Sequence, residues 1–127
     1  MKNYFKIILL ACVLLSFQCD TDNTQNPTIT PEMLNAKKQE ILNYIASFSC
    51  NNATCMSIAL GAKPCGGPQE YLAYPSSVDQ NTLQNMVNQY YQMENTYNIQ
   101  TNAVSDCMAV LPPNTVNCIN GTCTIIN

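Results

Sequence analysis

Apolar residues recur at spacings of three and four in two long stretches of this chain, and the stretches between them alternate or break. The first, TPEMLNAKKQEILNYIASF, places Leu34, Ile41, Ile45 and Phe48 on one stripe, with Leu42 and Tyr44 flanking it. That spacing predicts an amphipathic helix, because residues three and four apart share a face. Thr30 suits the N-cap, Pro31 the first helical position and Glu32 the positive end of the helix dipole. The helix is expected to end near Ser49. Lys37, Lys38 and Glu40 lie mostly on the other side, and a membrane-surface helix would need a more basic face, so the stripe should pack on a core. The second stretch, PSSVDQNTLQNMVNQYYQMENTYNI, repeats Leu83, Met86, Val87, Tyr90, Met93 and Tyr97 in the same way. Ser77 is its expected N-cap, with Gln80 three residues on as a capping box. Its opposite face is almost all Asn and Gln. A Tyr and Met stripe of this kind reads as core before it reads as a ligand groove.

Between the helices the period changes. SCNNATC is polar and turn-prone. MSIALGA suggests a short strand with Ile58 and Leu60 facing one way, and EYLAYP alternates Tyr71 and Ala73 against Leu72 and Tyr74. The intervening KPCGGP breaks any regular element, since proline lacks an amide donor and glycine admits positive φ. In the tail, MAVL suggests a strand stopped by Pro112 and Pro113. VNCI and TCTII flank Asn120-Gly121, the favoured signal for a two-residue hairpin loop. No internal repeat is present. The expected fold is α+β: two helices packed on a small, mostly antiparallel sheet.

The first thirty residues carry a different message. Lys2 and Lys6 precede an apolar run of eleven residues, Ile7 to Phe17. A membrane-spanning helix needs about 20 apolar residues, so the run fits the hydrophobic part of a signal peptide instead. Ser16, Phe17 and Gln18 make a poor standard cleavage site, which prefers small residues at the first and third of these positions. A cysteine directly after the apolar run resembles the lipobox of bacterial lipoproteins, in which that cysteine is acylated and becomes the first residue. Gln18 stands where a small residue is usual. Cys19 is therefore the expected lipidation site, with plain secretion as the alternative. The expected organisation is a signal peptide at 1–18, a polar and acidic flexible tether at 19–29, and one domain at 30–127.

From Cys19 onward, Lys37, Lys38 and Lys63 stand against eight carboxylates, a balance of minus five, with no arginine. Three lysines cannot neutralise several phosphates, so a nucleic-acid partner is not expected. Histidine is absent, which removes the imidazole base of Ser-His-Asp and Cys-His catalysis and the usual zinc ligand. A carboxylate pair is the one standard hydrolytic scheme left. Glu32, Glu40, Glu70, Asp79, Glu94 and Asp106 could supply it, though no motif spaces two of them for the task, and solvated surface carboxylates are the simpler reading. No cofactor is expected.

The domain keeps Cys50, Cys55, Cys65, Cys107, Cys118 and Cys123 once Cys12 leaves with the signal and Cys19 is acylated. An even number in a short exported chain predicts a disulfide framework, and six cysteines allow fifteen pairings that sequence does not choose among. Cys50 with Cys55 and Cys118 with Cys123 share the same four-residue gap. A metal site built on those gaps is the weaker reading in an oxidising compartment without histidine, so no metal is expected. Each bridge stabilises by roughly 2–4 kcal/mol against a net stability of about 5–15 kcal/mol. The matches to N-glycosylation at Asn52 and Asn120 read as chance in a bacterial lipoprotein.

GAKPCGGP, YLAYPSS, SDCMAVLPP and the closing NGTC together resemble a group of functionally uncharacterised small bacterial envelope lipoproteins. These pair a KPCGGP-type segment and a YLxYS-type strand with a later SDC and a terminal cysteine. The resemblance covers roughly residues 50–123, is most specific at Lys63–Pro68, and departs at Pro75, where a serine is usual. It implies location and fold and carries no activity.

The leading functional expectation is a non-enzymatic binding module at the bacterial cell envelope. It would be held to the membrane through its N-terminal lipid, on an outer membrane and facing the periplasm or the surface, and would bind an envelope or extracellular protein. The alternative is an inhibitor of an exported hydrolase, presenting Lys63, Pro64, Gly66 and Gly67 on the Gly61–Pro68 loop. Pro64 argues against a substrate-like Lys63, and a stapled turn running into a strand is the simpler reading of that loop. An enzyme using Tyr, Asp or Glu is the third.

Overall fold

The computed structural model describes residues 28–126. The expected signal peptide at 1–18, the lipidation site Cys19 and all of the expected tether except its last two residues lie outside the described residues. Ile29, assigned by sequence to that tether, belongs to the domain. Its side chain is buried in the core and its N–H donates to Gln100 Oε1 at 3.0 Å. An isoleucine gains too much from leaving water to stay on a solvated stalk.

Helix α1 spans Pro31–Ala46. Thr30 caps it as expected, its Oγ1 accepting from the Met33 N–H at 3.4 Å, and Pro31 opens the first turn. Strand β1 (Cys55–Leu60) pairs antiparallel with β2 (Glu70–Pro75), Leu60 opposite Glu70 and Cys55 opposite Pro75. Alternation puts Leu72 and Tyr74 on the buried face, with Leu60 from β1.

Helix α2 spans Gln80–Thr101, and its N-cap is Asp79 in place of the expected Ser77. Asp79 Oδ1 accepts from the Thr82 N–H at 2.7 Å. Ser77 is used up in a turn closed by the Val78 N–H on the Pro75 carbonyl at 3.0 Å. Val78 is buried with Leu83, four positions into the helix, a hydrophobic staple that fixes where the helix begins. At the other end Asn102 adopts φ 49°, a left-handed cap that closes the helix.

The last two strands, β3 (Thr115–Ile119) and β4 (Thr122–Ile126), form the expected hairpin. Asn120 and Gly121 have φ of 51° and 80°, the positive pair that a two-residue type I′ loop requires. The architecture is α+β, with its four strands divided into two separate antiparallel hairpins. The expected strand at MAVL does not form: no strand lies alongside to pair it, and the segment is held by other means. Ile29, Leu34, Ile41, Leu60, Leu72, Tyr74, Val78, Leu83, Val87 and Tyr90 make one core between α1, α2 and the first hairpin. Both predicted helical stripes contribute to it, with Leu42, Ile45, Phe48, Met86, Met93 and Tyr97 packed around its margin.

Candidate functional site

Three features gather the chemistry of the domain. The first is the loop from Gly61 to Pro68. Gly61 turns the chain at φ 87°, over the Glu94 carboxylate of α2. Glu94 Oε2 accepts the Ala62 N–H at 2.6 Å and Asn98 Nδ2 donates to the Ala62 carbonyl at 2.7 Å, so both backbone polar groups of one residue are held by consecutive turns of α2. Beyond it the Lys63 N–H donates to the Gly67 carbonyl at 2.9 Å and the Gly66 N–H to the Lys63 carbonyl at 2.8 Å, closing a tight turn. Gly66 and Gly67 sit at φ 94° and 83°. The tip, Pro64 to Gly67, is exposed.

Lys63 is not displayed for an outside partner. Its side chain is only 12 % exposed, and Nζ lies 2.9 Å from Asp106 Oδ1 and donates to the Met108 carbonyl at 2.7 Å. Next to it Cys65 is bonded to Cys107. Of the four candidate contact residues, the loop therefore offers Pro64, Gly66 and Gly67 and turns Lys63 onto the segment around Asp106.

The six candidate carboxylates each have a structural partner. Glu40 pairs with Lys37 at 2.9 Å, Glu70 with Lys38, and Asp106 with Lys63, whose hydrogen bond holds the Asp106 carboxyl below its usual range. Asp79 is a cap, its pKa lowered by the Thr82 side chain and N–H. Glu32 is lowered by a backbone bond and by Thr30 in the first turn of α1. Glu94 is the exception: burial raises its pKa, against the bonds from Ala62 and Tyr90 that favour the charge. Tyr90 beside it is pushed up to about 12, first by desolvation and then by the charges of Glu94 and Glu70. The charge of Glu70 adds to the raising of Glu94 and that of Lys38 opposes it, both after burial. Glu94 and Asn98 together form a clamp on the loop.

The second feature is sulfur. Cys50 bonds Cys118 and Cys55 bonds Cys123, so the two equal gaps are joined across the chain and not within themselves. The sulfurs of Cys50, Cys55 and Cys123 lie within 4.8 Å of one another. In this oxidised form they carry no thiolate, the species a metal requires.

The third feature had only a faint signal in the sequence. An open groove of about 750 Å³ runs between the end of α1, strand β2 and strand β4. Ile45 and Phe48 line one side, Tyr71 and Ala73 another, and Thr124 and Ile125 the third. Phe48 is held edge-on by Tyr44, with ring centres 5.4 Å apart and planes at 74°. The Cys50 N–H donates to the Gly121 carbonyl at 3.1 Å, which seats the tip of the second hairpin beside the groove. The alternate positions of β2, Tyr71 and Ala73, half-buried and facing away from the core, were the one available hint.

Comparison with known protein families, curated proteins and solved structures finds no match for the chain.

Proposed function

We propose that the protein is an exported, lipid-anchored binding module of the bacterial envelope, resembling the small lipoproteins with the KPCGGP and SDC segments, and that the groove beside the second hairpin takes its partner. The observation that carries this reading is the groove itself: about 750 Å³, mainly apolar, with Ser, Asn and Thr among its lining residues. Sites for extended or aromatic groups have this composition, an apolar floor with a few polar groups that orient the guest. Three disulfides support an oxidising compartment. The structural engagement of all six carboxylates supports a non-enzymatic role.

The test is capture from an envelope fraction by the oxidised protein, repeated with Ala73→Phe, which fills the groove from the side of β2 that faces away from the core. A partner retained by the parent and lost by the variant, with disulfides and circular dichroism unchanged, supports the proposal. Equal retention by both removes the groove from the account.

A second reading, inhibition of an exported hydrolase, is favoured by the clamped loop, whose exposed tip is preorganised by a disulfide and by α2. It predicts that a captured hydrolase is released by Pro64→Ala with Gly66→Ala and is indifferent to Ala73→Phe.

A further inference from the structure

Among the described residues the four most exposed large apolar side chains are Ile99, Val104, Met108 and Leu111, at 70, 93, 69 and 77 % of full exposure. No other large apolar side chain among the described residues exceeds 45 %. All four lie in the last turn of α2 and the irregular segment that follows it. A single exposed leucine is ordinary, but a concentration of them marks a surface that meets something apolar. The segment that carries them is fixed. The Ala103 N–H bonds the Asn98 carbonyl at 2.9 Å, Cys107 is tied to Cys65, and Lys63 holds both Asp106 and the Met108 carbonyl.

Its charge is as informative. Beyond Glu94 the sequence contains one charged side chain, Asp106, and that carboxylate is paired with Lys63. Within this segment no unpaired carboxylate would have to approach an anionic surface. The position of the first described residues supplies the partner. Ile29 is bonded to the side chain of Gln100, one residue from Ile99, so the described chain starts beside this end of α2. Nine residue steps separate Cys19 from Thr28 and span at most about 32 Å in any conformation. A lipid on Cys19 therefore keeps the uncharged, apolar end of the domain close to the bilayer.

We infer that the segment from Ile99 to Leu111 is a second membrane contact, with Val104, Met108 and Leu111 entering the headgroup boundary of the bilayer that holds Cys19. The inference rests on the lipid-anchored reading above, and it adds an orientation. The Gly61–Pro68 loop, bonded to this segment, lies near the membrane, and the groove beside the second hairpin is left open to other proteins.

The chain has no tryptophan, so Val104→Trp and Leu111→Trp each create a lone reporter. Asn85→Trp, exposed and about 20 Å back along α2, is the control. The oxidised chain from Cys19 onward is coupled through the Cys19 thiol to a maleimide phospholipid in phosphatidylethanolamine–phosphatidylglycerol vesicles. The expected result is blue-shifted emission at 104 and 111, quenched by brominated lipid, with the reporter at 85 unshifted and unquenched. Emission at 104 and 111 that matches position 85 overturns the inference. So does a blue shift that grows with protein density and resists brominated lipid, which would mean that a second copy covers the segment. Because the coupling supplies the anchor chemically, these outcomes do not depend on acylation in the cell. The mass of the native N-terminal peptide tests the anchor separately.

Discussion

Every buried residue in the described chain falls between Ile29 and Tyr90, while from Tyr91 to Ile126 none is buried. The disulfides follow the same division. Cys50, Cys55 and Cys65 belong to the first region and their partners Cys118, Cys123 and Cys107 to the second, so every bridge runs from the part with a core to the part without one. The first region folds around burial: two helical stripes and one hairpin face close on ten side chains. The second is fastened to it. A two-stranded hairpin is marginal by itself in water, and three covalent links that close loops in the unfolded chain supply what burial does not. Crosslinks are thus not a general substitute for a small interior in this protein. They are spent on the one region that lacks an interior.

The largest effect that can break this comparison is removal of the bridges. With Cys50–Cys118 and Cys55–Cys123 reduced, each loss costing about 2–5 kcal/mol, amides of β3 and β4 should exchange as in an unfolded chain. Amides of α2 between Leu83 and Tyr90 should keep measurable protection by hydrogen-exchange mass spectrometry. If both regions lose protection together, the core does not stand without its staples and the division is wrong.

A smaller effect sharpens it. Leu83, 1 % exposed, packs at the centre of the core, so Leu83→Ala in the oxidised protein should cost about 2–5 kcal/mol in urea unfolding. Ile119, 45 % exposed on β3, is apolar as well, yet Ile119→Ala should stay within about 0.5 kcal/mol. Comparable costs at the two positions would mean that the second hairpin has a core of its own.

The same division governs what could be read from the chain. Both helical stripes, the EYLAYP alternation and the Asn120-Gly121 hairpin were legible because period and turn chemistry are local. The cap at Asp79 was missed because Ser77 has the better local pattern, and only the buried contact of Val78 with Leu83 decides the start. MAVL has the composition of a strand, but a strand requires a partner, and the nearest backbone is instead engaged by Lys63 and Cys65. The pairing of Cys50 with Cys118 and of Cys55 with Cys123, and the groove, are properties of how the second hairpin docks. No residue in either hairpin encodes that alone. The candidate loop was legible as a turn, while the turning of Lys63 onto Asp106 was not, since forty-three positions separate the two.

Where the two regions meet, Gly61 is the residue least open to change. It combines φ 87° with a Cβ position that overlaps Glu94 Oε2 and lies 2.9 Å from Gln69 Cγ. Gly61→Ala should therefore cost about 1–2 kcal/mol from the left-handed backbone, and more if Glu94 cannot move aside. The matching change Gly66→Ala carries the same positive φ, but nothing lies within 4 Å of its Cβ position. The difference between the two melting temperatures isolates the contacts with Glu94 and Gln69. Equal losses would show that only backbone conformation matters there.

The smallest effect has the opposite sign and comes from the same clamp. Burial raises the Glu94 pKa above its ordinary 4.5, so the folded state favours the protonated form more than the unfolded chain does. Its contribution to stability is then fully present below pH 4.5 and is lost as pH rises through the raised folded value. Glu94→Gln keeps an oxygen to accept the Ala62 N–H and carries no charge at any pH. The variant should be slightly more stable than the parent at pH 7, with the difference closing as pH falls below 4.5. Glu32, Asp79 and Asp106, whose pKa values are lowered, give the opposite slope in both proteins, so the comparison between parent and variant removes them. Tyr90 provides an independent reading, because without the neighbouring charge its phenol should titrate below about 12 in an ultraviolet titration. A variant less stable than the parent at pH 7 would mean that Lys38 and the Ala62 amide outweigh burial. The clamp would then hold the loop through the charge of Glu94 and not in spite of it.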